Sequence, residues 1–94
     1  MSPPSFAYGL WHVALNVREL APMEEFYVEL IGMKVEWRPD PQNVYLSSGR
    51  DNLALHVAVG LPPIGTIGVL DHIGFFVGSN EAVDEWHEYL VKRG

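Results

Sequence analysis

Two stretches of the chain alternate hydrophobic and polar residues with a period of two, which is typical of strands buried on one face. The first covers residues 9–17, and the second covers residues 71–77, Asp-His-Ile-Gly-Phe-Phe-Val. The alternation in the first stretch separates an apolar face (Trp11, Val13, Leu15, Val17) from a mixed face (Leu10, His12, Ala14, Asn16). The apolar face predicts contact with a helix, and the small, mixed face suits the lining of a cleft.

A helix is predicted after the first strand. Apolar residues recur there at helical spacing (Met23, Phe26, Tyr27, Leu30, Ile31). Pro22 suits a first helical position, and Gly32 is placed to end the helix as a glycine just past its last turn.

Three further strands are predicted at residues 34–38, 43–47 and 53–59, with a hairpin connection at 48–52. The last of these strands places Leu53, Leu55, Val57 and Val59 on one face and Ala54, His56 and Ala58 on the other. The predicted order of this part of the chain is therefore β-α-β-β-β. Residues 60–70, which contain three glycines and two prolines, are interpreted as a linker.

The pattern then restarts, with a strand at 71–77, a turn at 78–80 and a helix over 81–92. The two halves align without gaps at an offset of 60 residues, which pairs His12 with His72. We therefore predict an α+β fold made of βαβββ modules, in which 9–59 is a complete first module and 71–94 is the start of a second one, truncated after its helix. The two together form one domain, and the chain is either a fragment or is completed by another chain.

Composition narrows the possible partners. The chain has 94 residues, a net charge of −6 and scattered basic residues, which argues against nucleic acid and favours a small-molecule substrate. No apolar run approaches the length of a membrane span, and the N-terminus does not resemble a signal peptide, so no membrane association is expected. The absence of cysteine excludes disulfides and thiolate sites and is compatible with a cytoplasmic home.

Three histidines are the candidates for chemistry. Neutral imidazole is a common metal ligand, and two histidines with one carboxylate suit Fe, Mn, Ni or Zn. If the repeats pack about a pseudo-two-fold axis, His12 and His72 meet at one divalent metal ion. The alternative is that each is a strand histidine with a local hydrogen bond. His56 is a candidate catalytic residue, as a general acid or base, with a displaced third ligand and a rim histidine that contacts substrate as the alternatives.

The aromatic residues divide into two groups. Trp11 and Trp86 occupy helix-facing positions and are expected in the core. Trp37 and Tyr45 are candidates for lining the cleft.

The chain resembles the vicinal oxygen chelate superfamily, which includes glyoxalase I, fosfomycin-resistance proteins, extradiol dioxygenases, methylmalonyl-CoA epimerase and bleomycin-binding proteins. The resemblance extends over residues 9–94. The stretches that carry it are 12–17 (His-Val-Ala-Leu-Asn-Val), 26–35 (Phe-Tyr-Val-Glu-Leu-Ile-Gly-Met-Lys-Val) and 71–77.

The resemblance implies a cupped sheet around a divalent metal ion whose ligands come from the first and last strands of each module. His12 and His72 match the two first-strand positions, whereas Ala54 stands where glyoxalase I has a carboxylate. Branches with two histidines and one glutamate take that glutamate from the last strand of the second module, beyond this chain.

The function expected from the resemblance is that of a metal-dependent enzyme, a lyase or isomerase or a dioxygenase-like protein, which acts on a small oxygenated substrate chelated to the metal. A homodimer is expected. The alternative is a metal-free binding protein of the antibiotic-sequestering type.

Overall fold

The computed structural model describes residues 2–7 and 9–94 and divides the chain into two compact units, 1–64 and 65–94. The first unit contains strand β1, helix α1, a π-helical segment and strands β2, β3 and β4. Their bounds are His12–Val17, Leu20–Glu25, Phe26–Leu30, Lys34–Asp40, Asn43–Ser47 and Asn52–Val57. The second unit contains helix α2, Asn80–Arg93.

The four strands form one mixed sheet in the order β1-β4-β3-β2. β1 runs parallel to β4, with His12 opposite Asn52 and Val17 opposite Val57, and the other neighbouring pairs are antiparallel. The parallel pair requires a long crossover, and α1 with β2 and β3 provides it. The predicted α+β fold and its β-α-β-β-β order are confirmed.

The core lies on one face of this sheet, under the helix. Val44, Leu46 and Leu55 are fully buried there, and Met23, Tyr27, Val28 and Ile31 from the helical region pack against the same cluster. Val13 and Leu15 of β1 also contact the cluster, as the alternation predicts. The other sheet face is therefore left for a site.

The helix differs from the predicted regular stripe. Its second half is π-helical, with the Ile31 N–H donating to the Phe26 carbonyl at 3.1 Å. A π-turn adds one residue per turn, which brings Val28 to the core and leaves Phe26 exposed, although the spacing had predicted Phe26 inside. Gly32 ends the helix at a φ of 95°, which confirms its predicted role.

The predicted strand at 71–77 is not observed, because these residues belong to no sheet in the described part of the second unit. A strand needs a neighbour for its backbone groups, and in the first unit the equivalent β1 pairs only with β4. No strand follows α2 among the described residues, so 71–77 has no such neighbour within its unit.

The helix predicted for the second half is confirmed. The Ser79 hydroxyl caps α2 by accepting from the Ala82 N–H at 3.1 Å. The core positions predicted for two tryptophans are wrong, since Trp11 is 55% exposed and Trp86 is 37% exposed. Trp11 precedes the first paired residue of β1, and Trp86 packs edge-on against Tyr89 at the surface of the helix. Within the described residues, no helix is long and apolar enough to cross a bilayer.

Candidate functional site

The sheet face opposite the helix, here called the polar face, collects the candidate residues of the first unit. Strand register arranges them in three rows across the sheet. The first row contains His12 and Asn52, the second Ala14, Ala54, Tyr45 and Trp37, and the third Asn16, His56, Asn43 and Asp40.

His12 is held by a chain of two hydrogen bonds in the first row. Its Nδ1 lies 2.6 Å from Oδ1 of Asn52, and Nδ2 of Asn52 donates to Oε1 of Glu36 at 3.3 Å. Asn52 is only 6% exposed, and its backbone N–H donates to the Trp11 carbonyl at 2.8 Å. The amide that contacts His12 is therefore fixed on both its side-chain and backbone groups.

The direction of the two hydrogen bonds that link Glu36, Asn52 and His12 sets the tautomer of His12. An ionised carboxylate only accepts hydrogen bonds, so the amide must turn its NH₂ group toward Glu36 and its oxygen toward His12. Nδ1 of His12 then carries the proton, and Nε2 keeps its lone pair. The orienting contact is typical of histidines that bind metal through the opposite ring nitrogen.

His56 is held in the same way in the third row. Its Nδ1 lies 2.6 Å from Oδ1 of Asn43, and Nδ2 of Asn43 donates to both carboxylate oxygens of Asp40, at 2.8 and 2.9 Å. The Gln42 N–H also donates to Asp40, at 2.8 Å. These hydrogen bonds, first that from the Asn43 side chain, hold the pKa of Asp40 below its usual value.

Aromatic rings separate the two histidines. Tyr45 lies nearly parallel to His12 at 6.3 Å between ring centroids and edge-on to His56 at 5.7 Å. Trp37 stacks on Tyr45 at 5.0 Å and is itself exposed. The residues proposed to line a cleft, Trp37 and Tyr45, thus lie on the polar face beside Ala54, which is fully buried.

The remaining histidines lie in the second unit. Nδ1 of His72 is 2.6 Å from Oδ2 of Asp71, and both side chains are largely exposed. The proposed meeting of His12 and His72 joins the two units and stays a prediction. His87 is an exposed residue of α2.

The donor set of the first unit fits one contribution to a metal site rather than a whole one. No cluster of three or more His, Cys, Asp or Glu side chains suited to a metal occurs among residues 2–7 and 9–94. His12 presents an oriented Nε2, while Ala54 has no donor atom at the position of the expected carboxylate. The residues present are therefore compatible with a metal whose other ligands come from elsewhere.

Sequence reasoning missed the residues that orient the histidines. Asn52 falls within the predicted hairpin connection and Asp40 between two predicted strands, whereas in the structure each is a terminal residue of a strand. The signal available in the sequence was the Asp-x-x-Asn spacing from 40 to 43, which places an amide within reach of a carboxylate across a tight turn.

Comparison with known proteins gives the chain a family. The model of the Glyoxalase/Bleomycin resistance protein/Dioxygenase superfamily matches residues 9–94. No curated protein matches the chain.

Solved structures share the fold. A glyoxalase/bleomycin resistance protein/dioxygenase from Alicyclobacillus acidocaldarius matches with a TM-score of 0.72 and 23% identity, over 93% of this chain and 64% of that one. A lactoylglutathione lyase from Agrobacterium tumefaciens matches with a TM-score of 0.70 and 25% identity, over 96% and 71% of the two chains. An integron cassette protein from the metagenome of the Halifax Harbour sewage outfall matches with a TM-score of 0.73 and 22% identity, over 93% and 72%.

The chain spans less than two thirds of the length of the first of these proteins. The family match, in contrast, extends over nearly all of the present chain, and the strand order agrees with the βαβββ module that the resemblance implied. The chain belongs to the glyoxalase/bleomycin resistance protein/dioxygenase superfamily.

Proposed function

We propose that the polar face is one half of a divalent-metal site in a metal-dependent enzyme, with His12 as its ligand and His72 as the equivalent ligand of the second unit. The observation that carries the proposal is the pair of hydrogen bonds that links Glu36, Asn52 and His12. These hydrogen bonds occupy Nδ1 of His12 and leave the lone pair of its Nε2 available to a metal ion. Family membership supports it, as does the lyase named among the structural neighbours.

A bound Fe, Mn, Ni or Zn ion would act as a Lewis acid toward adjacent oxygens of a small substrate. Tyr45 and Trp37 offer that substrate a flat surface for stacking.

His56 is assigned to the substrate rather than to the metal. Positions 52 and 56 of β4 are four residues apart, which is about 13 Å along a strand. Zinc–imidazole bonds are about 2 Å long, so one ion does not readily reach both rows. In this proposal His56 contacts the substrate as a hydrogen-bond acceptor or general base.

Metal binding to the full chain tests the ligand assignment. Equilibrium dialysis with Zn²⁺ or Ni²⁺, followed by elemental analysis, is expected to show affinity that falls at least tenfold in both His12→Ala and His72→Ala. His87→Ala is the matched control and should bind as the parent chain does. Stoichiometric metal retained in the His12→Ala/His72→Ala double variant would refute the shared site.

A second candidate is a metal-free binding protein of the antibiotic-sequestering type. The observation that favours it is the Trp37–Tyr45 stack beside an alanine at the position of the expected carboxylate. This function predicts that an aromatic ligand quenches Trp37 fluorescence equally with and without a chelator. A metal-dependent site predicts that chelation weakens the binding.

Self-association is part of either proposal. β1 and β2 are the edge strands of the sheet, and unpaired strand edges favour pairing with another chain. A homodimer in the cytoplasm is the assembly we propose. Sizing with light scattering tests the assembly, and a monomer at high protein concentration would contradict it.

A further inference from the structure

The Asp40–Asn43–His56 chain has a role that the metal site does not require. We propose that Asp40 and Asn43 are positioning residues that fix His56 with its proton on Nδ1, so that Nε2 of the neutral ring is a hydrogen-bond acceptor on the polar face. Such an acceptor selects a ligand that carries a donor group, namely a hydroxyl, an N–H or an ammonium. The inference rests on the proposed function only in taking that ligand to be the substrate.

The contacts of Asp40 explain why the Asn43 amide turns its NH₂ group toward Asp40 and its oxygen toward His56. The Gln42 backbone N–H is a donor by nature, and it fixes Oδ1 of Asp40 as its acceptor. Both oxygens of the carboxylate also accept hydrogen bonds from Nδ2 of Asn43. With its NH₂ group committed, Asn43 can offer only its oxygen to His56 at 2.6 Å.

The neighbouring rings make this acceptor a directional one. Tyr45 meets the His56 ring edge-on at an interplanar angle of 76°, which restricts rotation of the imidazole about its side-chain bonds. His56 is half-buried, and its ring is therefore both oriented and within reach of a ligand. A planar ligand stacked near Trp37 and Tyr45 would present its edge to Nε2.

A neutral amide in place of Asp40 is expected to reverse the direction of the hydrogen bonds from residue 40 through Asn43 to His56. In Asp40→Asn, the new amide keeps its oxygen on the Gln42 N–H and turns its NH₂ group toward Asn43. The new NH₂ group then faces Nδ2 of Asn43 at the former Oδ2 position, and Oδ1 alone is left to accept from both Gln42 and Asn43. We therefore expect Asn43 to rotate, so that its oxygen faces residue 40 and its NH₂ group faces Nδ1 of His56. After that rotation the proton of His56 lies on Nε2, and the acceptor on the polar face is lost.

The tautomers are read directly by ¹H–¹⁵N correlation spectra of histidine ring nitrogens in the full chain without metal, at alkaline pH where imidazoles are neutral. We expect His56 mainly in the Nδ1–H form in the parent chain and mainly in the Nε2–H form in Asp40→Asn. Glu36→Gln is the matched control, which should leave His56 unchanged. His87 is the internal reference for an exposed ring.

Two results would overturn the proposal. One is a His56 ring protonated mainly on Nε2 in the parent chain, and the other is a His56 ring that keeps the Nδ1–H tautomer in Asp40→Asn. Asn43→Leu is a second variant that removes the amide altogether. In this variant the tautomer ratio of His56 should match that of the exposed His87. These spectra are recorded without metal, so their outcome is separate from the success or failure of the metal-site proposal.

Phenol and anisole probe the ligand preference, because they share a ring and differ in the donor hydroxyl. Phenol is expected to shift the Nε2 resonance of His56 in the parent chain, with an effect reduced severalfold in Asp40→Asn, whereas anisole should leave it in place. Equal shifts from both probes would show that the site reads only the ring and would contradict the proposed acceptor.

Discussion

Replacing Asn52 separates the orienting role of this side chain from its contribution to stability. Asn52→Ala removes the amide that bridges His12 and Glu36 and leaves a space at a position that is only 6% exposed. Asn52→Leu removes the same hydrogen bonds but refills most of the volume with apolar atoms. The two variants therefore share the loss of orientation and differ in packing.

The expected magnitudes follow from the contacts. Two side-chain hydrogen bonds contribute about 1–3 kcal/mol net in total, since each is worth roughly 0.5–1.5 kcal/mol. His12 and Glu36 are exposed, so water replaces the lost partner and no buried unsatisfied group adds to the cost. Lost packing brings Asn52→Ala to about 2–4 kcal/mol, whereas apolar burial limits Asn52→Leu to about 0–2 kcal/mol.

Native-state hydrogen exchange of the β4 amides measures this free energy within the first unit alone. A loss of 2–4 kcal/mol accelerates exchange by roughly 30- to 1000-fold where the amides report global unfolding of that unit. Asn16→Ala, at an exposed position on the same face, is the control and should change stability by less than about 0.5 kcal/mol.

The outcome that refutes the reasoning is specific. If Asn52→Ala changes β4 exchange no more than Asn16→Ala does, the hydrogen-bonded chain to His12 contributes nothing and the orientation argument fails. In both Asn52 variants the His12 ring is expected to lose its Nδ1–H preference, while His56 keeps its own. Loss of preference in both histidines would instead indicate general loosening of the sheet.

Three further predictions concern other parts of the chain. The pKa of Asp40 is lower in the folded protein than in the unfolded chain, so the Asp40 carboxylate stabilises the fold above its unfolded pKa and loses this effect as pH falls through its folded pKa. Acid unfolding of Asp40→Asn should therefore show a weaker pH dependence than acid unfolding of the parent chain. Gly32→Ala forces a side chain into a φ of 95° and should destabilise the first unit by about 1–2 kcal/mol in urea unfolding, and an unchanged midpoint would contradict the assigned helix end. Ser79→Ala removes the cap on the Ala82 N–H and should cost helix α2 about 1 kcal/mol, seen as lower helical circular dichroism, whereas Ser79→Asp should retain the helix.

The fold was largely predictable because its signals are local. Period-two alternation located β1 and β4 and assigned the faces of Val13 and Leu55, and the glycine at 32 marked the helix end. The π-helical turn was not predictable, since the residues from Phe26 onward fit an α-helical stripe as well. The strand at 71–77 failed for a different reason: alternation shows that a segment can be a strand, whereas a sheet also needs a neighbour.

The histidines of the polar face could be selected from the sequence, whereas their hydrogen-bond partners could not. His12 and His56 stand out as titratable residues on an otherwise small, mixed face. Their partners Asn52 and Asn43 lie 40 and 13 residues away along the chain and become neighbours only through strand pairing. A single sequence contains the residue types but not the register that brings them together.

The hydrogen bonds of three histidines engage the same ring nitrogen, Nδ1. His12 and His56 each use an amide to occupy Nδ1, and His72 uses the carboxylate of the preceding Asp71. Different partners thus leave Nε2 as the free nitrogen in every case. For His56, whose Asp40 partner is fixed by a backbone N–H, the direction is imposed by groups that cannot reverse. His12 depends on the longer contact to Glu36, so its preference for the Nδ1–H tautomer should be the weaker of the two, and Glu36→Gln should change it by less than Asp40→Asn changes that of His56.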